Sequence, residues 1–158
     1  MAIALIALGS NLGDRQLQLD QAVRYLQQLP QTRLLRQSSW HETDPVGGPP
    51  QGKFLNGVAM LETVLPPQDL LNAILAIETR MGRPASREKW GPRVIDLDLL
   101  SYGNQILQLP GLEIPHPRMQ ERPFVLIPLA EIAPEWKHPT LNKTALELLH
   151  DAHRTASS

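Results

Sequence analysis

Cysteine is absent from this 158-residue chain. That excludes disulfides, thiolate nucleophiles and cysteine-held metal centres, and it is compatible with a cytoplasmic protein. Aromatic residues are scarce, with 2 phenylalanines, 2 tyrosines and 3 tryptophans, so each phenylalanine is worth placing. No charge of one sign dominates. The 15 Lys and Arg against 16 Asp and Glu give a formal net charge of −1, which argues against a general nucleic-acid binder. Long hydrophobic runs are missing too, so no membrane partner is expected. The apolar start, Met1 to Leu8, lacks a basic flank, is too short to span a bilayer and runs into Gly9-Ser10-Asn11, so it reads as a buried strand. Proline and glycine, by contrast, are plentiful at 15 and 10, implying ordered, well-punctuated loops. The length predicts one domain, 1–158, around a single core, with a tail that frays from about residue 154 to 158.

What is present centres on Lys89-Trp90-Gly91-Pro92-Arg93-Val94-Ile95-Asp96-Leu97-Asp98-Leu99-Leu100. Val94 to Leu100 reads as a strand, and residues two apart on a strand share a face. Asp96 and Asp98 therefore project together, while Ile95, Leu97 and Leu99 turn into a core. Two neighbouring carboxylates repel each other unless a cation lies between them, and Mg²⁺ is usually held by one or two carboxylates together with substrate phosphates. A bare D-x-D is commonly just the wet face of an edge strand. Here it lies in an apolar strand, behind a segment carrying Arg80, Arg83, Arg87, Lys89 and Arg93. Carboxylates for a metal beside cations for phosphate suit phosphoryl-transfer chemistry.

The rest of the chain is legible by period and punctuation. The turn Gly9-Ser10-Asn11-Leu12-Gly13 lacks the G-K-[ST] of a Walker loop, and Asp14 is placed to N-cap the following helix. Leu19, Ala22, Val23 and Leu26 form the buried stripe of that helix. Arg33 to Trp40 reads as a strand, Thr43 to Gly52 as a ligand-facing loop or plain connection, and Phe54 to Glu62 as a strand with Asn56 on the face of Phe54. Pro66-Pro67 opens a second helix with the stripe Leu70, Ile74, Ile77 and Met81, flanked by Glu78. Gln105 to Leu109 reads as a short strand. His116 is held between Pro115 and Pro117, followed by Arg122 and Phe124. Phe124 to Ile132 reads as a buried helix, and Thr144 to His153 as an amphipathic one. The pattern predicts an α+β two-layer sandwich with a mainly antiparallel sheet.

Three stretches together carry a family resemblance: Gly9-Ser10-Asn11-Leu12-Gly13, Trp90-Gly91-Pro92-Arg93-x-x-Asp96-Leu97-Asp98, and Pro115-His116-Pro117 with Arg122 and Phe124. The chain resembles 6-hydroxymethyl-7,8-dihydropterin pyrophosphokinases over essentially its whole length. The resemblance implies a ferredoxin-like fold and a folate-biosynthesis enzyme. It would transfer pyrophosphate from ATP to the pterin hydroxymethyl group and release AMP, by Mg-assisted in-line attack on the β-phosphorus with two Mg²⁺. It further implies that Asp96 and Asp98 ligate the metal, and that Arg83 and Arg93 act with them in catalysis by neutralising phosphate charge. His116 and Arg122 would hold the phosphate tail, Glu78 would support the cluster, and Trp90 would move with its loop. Phe54 and Phe124 would sandwich the pterin. Asn56, with backbone groups of Thr43, Asp44 and Val46, would read its edge, near Asp96. Adenine is expected near Leu71, Leu75, Leu99 and Leu112, and the protein is expected to be a monomer.

The chemistry agrees on separate grounds, because pyrophosphoryl transfer needs positioning and charge neutralisation more than a protein nucleophile. Departures from the family pattern fall at Pro84-Ala85-Ser86, Asp44 and Gly111, and bear on ATP affinity and loop behaviour. Two other readings stand beside this one. A Mg²⁺-dependent phospho- or nucleotidyltransferase with another acceptor would not need the Phe54/Phe124 pair and Asn56. A non-catalytic pterin- or nucleotide-binding module would be expected to have lost an Asp, an Arg or His116.

Overall fold

The chain folds as β1 (Ala2–Ser10), α1 (Arg15–Gln27), β2 (Thr32–Gln37), β3 (His41–Thr43), β4 (Phe54–Thr63), α2 (Pro67–Arg80) and β5 (Asp96–Tyr102). The short strands β6 (Leu107–Leu109) and β7 (Leu112–Ile114) follow, then α3 (Pro123–Ile132) and α4 (Ala145–Ser157). The computed structural model describes residues 1–44, 52–82 and 94–157. The main sheet has the order β2-β4-β1-β5, with β3 beside β4, while β6 and β7 form a separate hairpin. Every named strand pair is antiparallel.

Alternation along the strands decides what each face buries. Ala4, Ile6 and Leu8 of β1 and Ala59 and Leu61 of β4 pack with Leu19, Ala22, Val23 and Leu26 of α1 and with Leu70, Ile74 and Ile77 of α2. Leu5 and Val58 point the other way and pack with Val125, Leu126, Leu129 and Ile132 of α3 and with Ala145 and Leu148 of α4. The expected α+β class and antiparallel sheet are therefore present, but the expected two layers are three. The reason lies in α3: Pro123–Ile132 is apolar nearly all round, and such a helix needs cover on more than one side. The sheet supplies one side and α4 another.

Local chemistry accounts for most boundaries. Asp14 caps α1, its Oδ1 accepting the Leu17 N–H at 3.1 Å. The strand read over Arg33 to Trp40 breaks after Gln37. Beyond it Ser38 Oγ accepts the Val58 N–H at 2.9 Å, and Trp40 lies against Gly57. A Cβ at Gly57 would stand 2.4 Å from the indole ring, so only glycine lets Trp40 fold over the sheet there. The D-x-D strand starts at Asp96 rather than Val94 and continues to Tyr102. Its register against β1 shifts, Ile6 facing Leu99 and Leu5 facing Ser101, so Leu100 is the extra residue of a bulge. The last helix runs to Ser157, beyond the His153 end read from the sequence. No helix among the described residues is long and apolar enough to cross a membrane.

Candidate active site

One row of the sheet builds the site. Residues directly opposite one another across a ladder share a face, and His41 faces Asn56, Asn56 faces Gly9, and Gly9 faces Asp96. In the next row Val58 faces Ala7 and Ala7 faces Asp98. Val58 belongs to the core under α3, so Asn56, Asp96 and Asp98 all look toward the α3 side. Phe54, two residues before Asn56 on β4, shares that face. The period of two thus held where it matters, with Asp96 and Asp98 half-buried and Ile95, Leu97 and Leu99 buried in the opposite core.

Distinct contacts position several of the side chains around this face. Asn56 is buried, and its Nδ2 donates to Thr43 Oγ1 at 2.6 Å. Glu78, on α2 and 3% exposed, accepts the Leu97 N–H on its Oε2 at 2.8 Å. Because Leu97 separates Asp96 from Asp98, this bond fixes the strand at the D-x-D itself. The Ile114–Pro115 bond is cis, and the His116 N–H donates to the Leu100 carbonyl at 2.8 Å, so the bulge residue docks the His116 segment against β5. Nδ1 of His116 accepts the Arg118 N–H at 3.3 Å, which leaves Nε2 to carry the ring proton in the neutral form. Burial first, and then the positive field of Arg122, push His116 down to about 4, while Asp96 opposes the shift. His116, Arg122 and Asp96 are therefore within electrostatic reach of one another. The Arg122 guanidinium lies over the Phe124 ring, 5.7 Å from its centroid, a cation–π geometry. Phe124 itself is half-buried at the start of α3.

The remaining expected residues are placed as follows. Asp44 is exposed, 3.9 Å from the Lys53 ammonium, at the edge of the described segment. The Leu99 and Leu112 side chains are in the core, Leu71 packs against it and Leu75 is 45% exposed. Val46, Arg83, Trp90 and Arg93 lie outside the described residues. The structure also adds residues that the sequence reading passed over. Asn11 Nδ2 donates to the Gly52 carbonyl at 3.2 Å. Arg15 donates to the Lys53 carbonyl at 2.9 Å and pairs with Glu42 at 2.8 Å. These bonds pin the chain immediately before Phe54. The signal for them was the Gly9-Ser10-Asn11 turn, whose polar residue had no role when read as a turn alone.

The donor set suits a hard divalent cation. Among the described residues no group of three or more His, Asp or Glu side chains could cage a metal ion. The half-buried carboxylates Asp96 and Asp98 leave most of a coordination sphere to phosphate oxygens and water, which is how Mg²⁺ is commonly held.

Comparison with known proteins bears on the whole of this arrangement. The chain is 44% identical over 153 residues to a 2-amino-4-hydroxy-6-hydroxymethyldihydropteridine pyrophosphokinase of Synechocystis, covering 97% of this chain and 77% of that one. It is 48% identical over 134 residues to the protein of the same name from Pseudomonas aeruginosa, covering 85% and 82% of the two chains. The Bacillus subtilis protein of that name is 49% identical over 131 residues, with 82% and 77% covered. Among solved structures, an HPPK-DHPS in complex with substrates superposes with a TM-score of 0.72 at 15% identity, over 98% of this chain and 44% of that one. Plasmodium falciparum HPPK-DHPS with pteroate gives 0.74 at 16%, over 95% and 42%. The chain spans less than half of these solved chains, and at such identity they speak for the fold alone. The family model for 7,8-dihydro-6-hydroxymethylpterin-pyrophosphokinase matches residues 5–134, a span holding both sheet rows, Glu78, His116 and Phe124. The sheet-edge carboxylates and the aromatic pair thus stand in a chain that belongs to the 7,8-dihydro-6-hydroxymethylpterin-pyrophosphokinase family.

Proposed function

We propose that this chain transfers the pyrophosphoryl group of ATP to the hydroxymethyl oxygen of 6-hydroxymethyl-7,8-dihydropterin. The hydroxymethyl oxygen gives up its proton to solvent and bonds to the β-phosphorus, the bond from that phosphorus to the oxygen bridging it to the α-phosphorus breaks, and AMP leaves with that oxygen. The observation that carries the reading is the cross-sheet row, in which Asn56 stands beside Asp96 with only Gly9 between them. A group that reads a heterocycle edge and a carboxylate suited to a metal are adjacent on one face.

The residues divide the work by chemistry. Phe54 and Phe124 offer apolar faces for a flat ring, whose polar edge then needs hydrogen bonds. Asn56 supplies these, its orientation set by Thr43, with the backbone of Thr43, Asp44 and Val46 completing the edge. Asp96 and Asp98 would hold Mg²⁺, two ions in our reading, and Glu78 holds the strand that presents them. Bound Mg²⁺ would supply charge neutralisation at the phosphates and acidify the attacking hydroxyl. His116 and Arg122 take the phosphate tail, the neutral imidazole donating from Nε2. Arg83 and Arg93 are assigned to the α- and β-phosphates and Trp90 to the nucleotide. Leu99, whose side chain is in the core, would meet adenine through its backbone. Positioning and fixed charge of this kind are what phosphoryl transfer demands of a protein.

The order β2-β4-β1-β5 with α1 and α2 over one face supports a ferredoxin-like assignment, extended by α3 and α4 on the other face. The charge balance favours small-molecule substrates over nucleic acid, and the reading extends to a cytoplasmic, monomeric, single-domain protein. Titration calorimetry tests the substrate pair. The expected result is tight binding of 6-hydroxymethylpterin only once a non-hydrolysable ATP analogue and Mg²⁺ are bound. Nucleotide binding without pterin binding would point to a transferase with another acceptor, and binding of neither would sink the enzyme reading.

A further inference from the structure

We infer that Gly9 is a positioning residue for the pterin subsite: its missing side chain is what allows the Asn56 carboxamide to lie across the sheet toward Asp96. The inference rests on the reading of Asn56 as the pterin-edge residue. A Cβ built on Gly9 would stand 2.8 Å from Asn56 Oδ1, closer than real Cβ contacts come, and 3.9 Å from Asn56 Cγ. The same Cβ would be 3.6 Å from Phe54 Cδ1, an ordinary contact. Among the described residues, and outside its chain neighbours, nothing else approaches nearer than these atoms, so the clash falls on Asn56 and spares Asp96.

The backbone does not account for glycine here. Among the described residues the positive-φ glycines are Gly13, Gly82, Gly103 and Gly111, and Gly9 lies in the ladder of an inner strand, where glycine weakens the sheet. Gly57, one register position away on β4, has a packing reason on the opposite face, the Trp40 ring. Among the described residues Gly9 has no such core partner. Its near neighbours are the two β4 side chains that face the site. The carboxamide above it is also held from the far end, since Asn56 Nδ2 donates to Thr43 Oγ1 at 2.6 Å. A methyl group at position 9 would have to turn the amide, and turning it would stretch or break the Thr43 bond. The metal-side carboxylate would be left in place, so the defect should separate the two substrates.

Calorimetry on the wild type, Gly9→Ala, Asn56→Ala and the double variant tests this. Each is titrated first with a non-hydrolysable ATP analogue and Mg²⁺, then with 6-hydroxymethylpterin. The expected result for Gly9→Ala is pterin affinity lower by roughly tenfold or more, with analogue affinity within about twofold of wild type. In the Asn56→Ala background the Gly9 substitution should add nothing, because residues acting through one contact are not additive. Wild-type pterin binding by Gly9→Ala, additive losses in the double variant, or lost nucleotide binding in Gly9→Ala would each overturn the inference alone. A wild type that bound nucleotide but no pterin would overturn the reading of Asn56 and the inference with it.

Discussion

His116 is buried enough, and near enough to Arg122, that its imidazole stays neutral to about pH 4 despite the opposing field of Asp96. An NMR titration of the ligand-free protein should therefore show one imidazole whose shifts move only near pH 4. Unfolded, the same group takes its proton near 6.5, so the stability it contributes is present above 6.5 and lost as the pH falls toward 4. Polyphosphate bound beside the ring favours the charged form, and ATP should move that titration upward. For the carboxylates, Asp96→Asn and Asp98→Asn keep size but lose charge at half-buried positions. Each should leave the melting temperature nearly unchanged and cut kcat by on the order of 10²-fold or more, measured as AMP release. Ser101 gives a contrasting case. Its hydroxyl is buried on β5 without a hydrogen-bond partner among the described residues, so Ser101→Ala should be neutral or stabilising, by up to about 1 kcal/mol in urea unfolding.

At the scale of elements, the edge strand β5 is fixed from two sides. Glu78 of α2 takes the Leu97 N–H, and the Leu100 carbonyl takes the His116 N–H. Glu78→Ala removes the acceptor from a buried amide and should cost about 1–3 kcal/mol of stability, with a fall in kcat because Asp96 and Asp98 flank that amide. Unchanged stability would mean that α2 does not hold the strand. The stripes of α1 and α2 were legible in the sequence because a 3.6-residue period repeats over several turns, and the D-x-D face was legible because a period of two needs only three residues. The break after Gln37 was not. It depends on the Trp40 indole finding Gly57, seventeen positions on, and nothing local to Arg33–Trp40 signals that. The bulge at Leu100 was hidden for a similar reason, since an apolar residue suits a core on either face of the sheet.

At the scale of the whole molecule, the sheet separates two tasks. One face carries the larger core with α1 and α2, and the other carries the core under α3 and α4 together with the candidate site residues Asn56, Asp96 and Asp98. The layer count was the part of the fold least visible in the sequence, because the low amphipathicity of α3 says that it is covered but not by what. The site was more visible. The residues Asp96, Asp98, His116, Arg122, Phe54, Asn56 and Phe124 could be singled out by type and spacing, whereas their assembly required the register that sets Asn56 against Gly9 and Gly9 against Asp96. The support from Asn11 and Arg15, which reach about forty residues along the chain, could not be inferred from neighbours in sequence. The central claim is that the β-phosphorus, not the γ-phosphorus, is attacked. Incubating the protein with ATP, Mg²⁺ and 6-hydroxymethyl-7,8-dihydropterin and following the phosphorus resonances by ³¹P NMR tests it directly. The expected result is AMP and the pterin diphosphate appearing in equal amounts. ADP with a pterin monophosphate, or ATP left unconsumed, would contradict it.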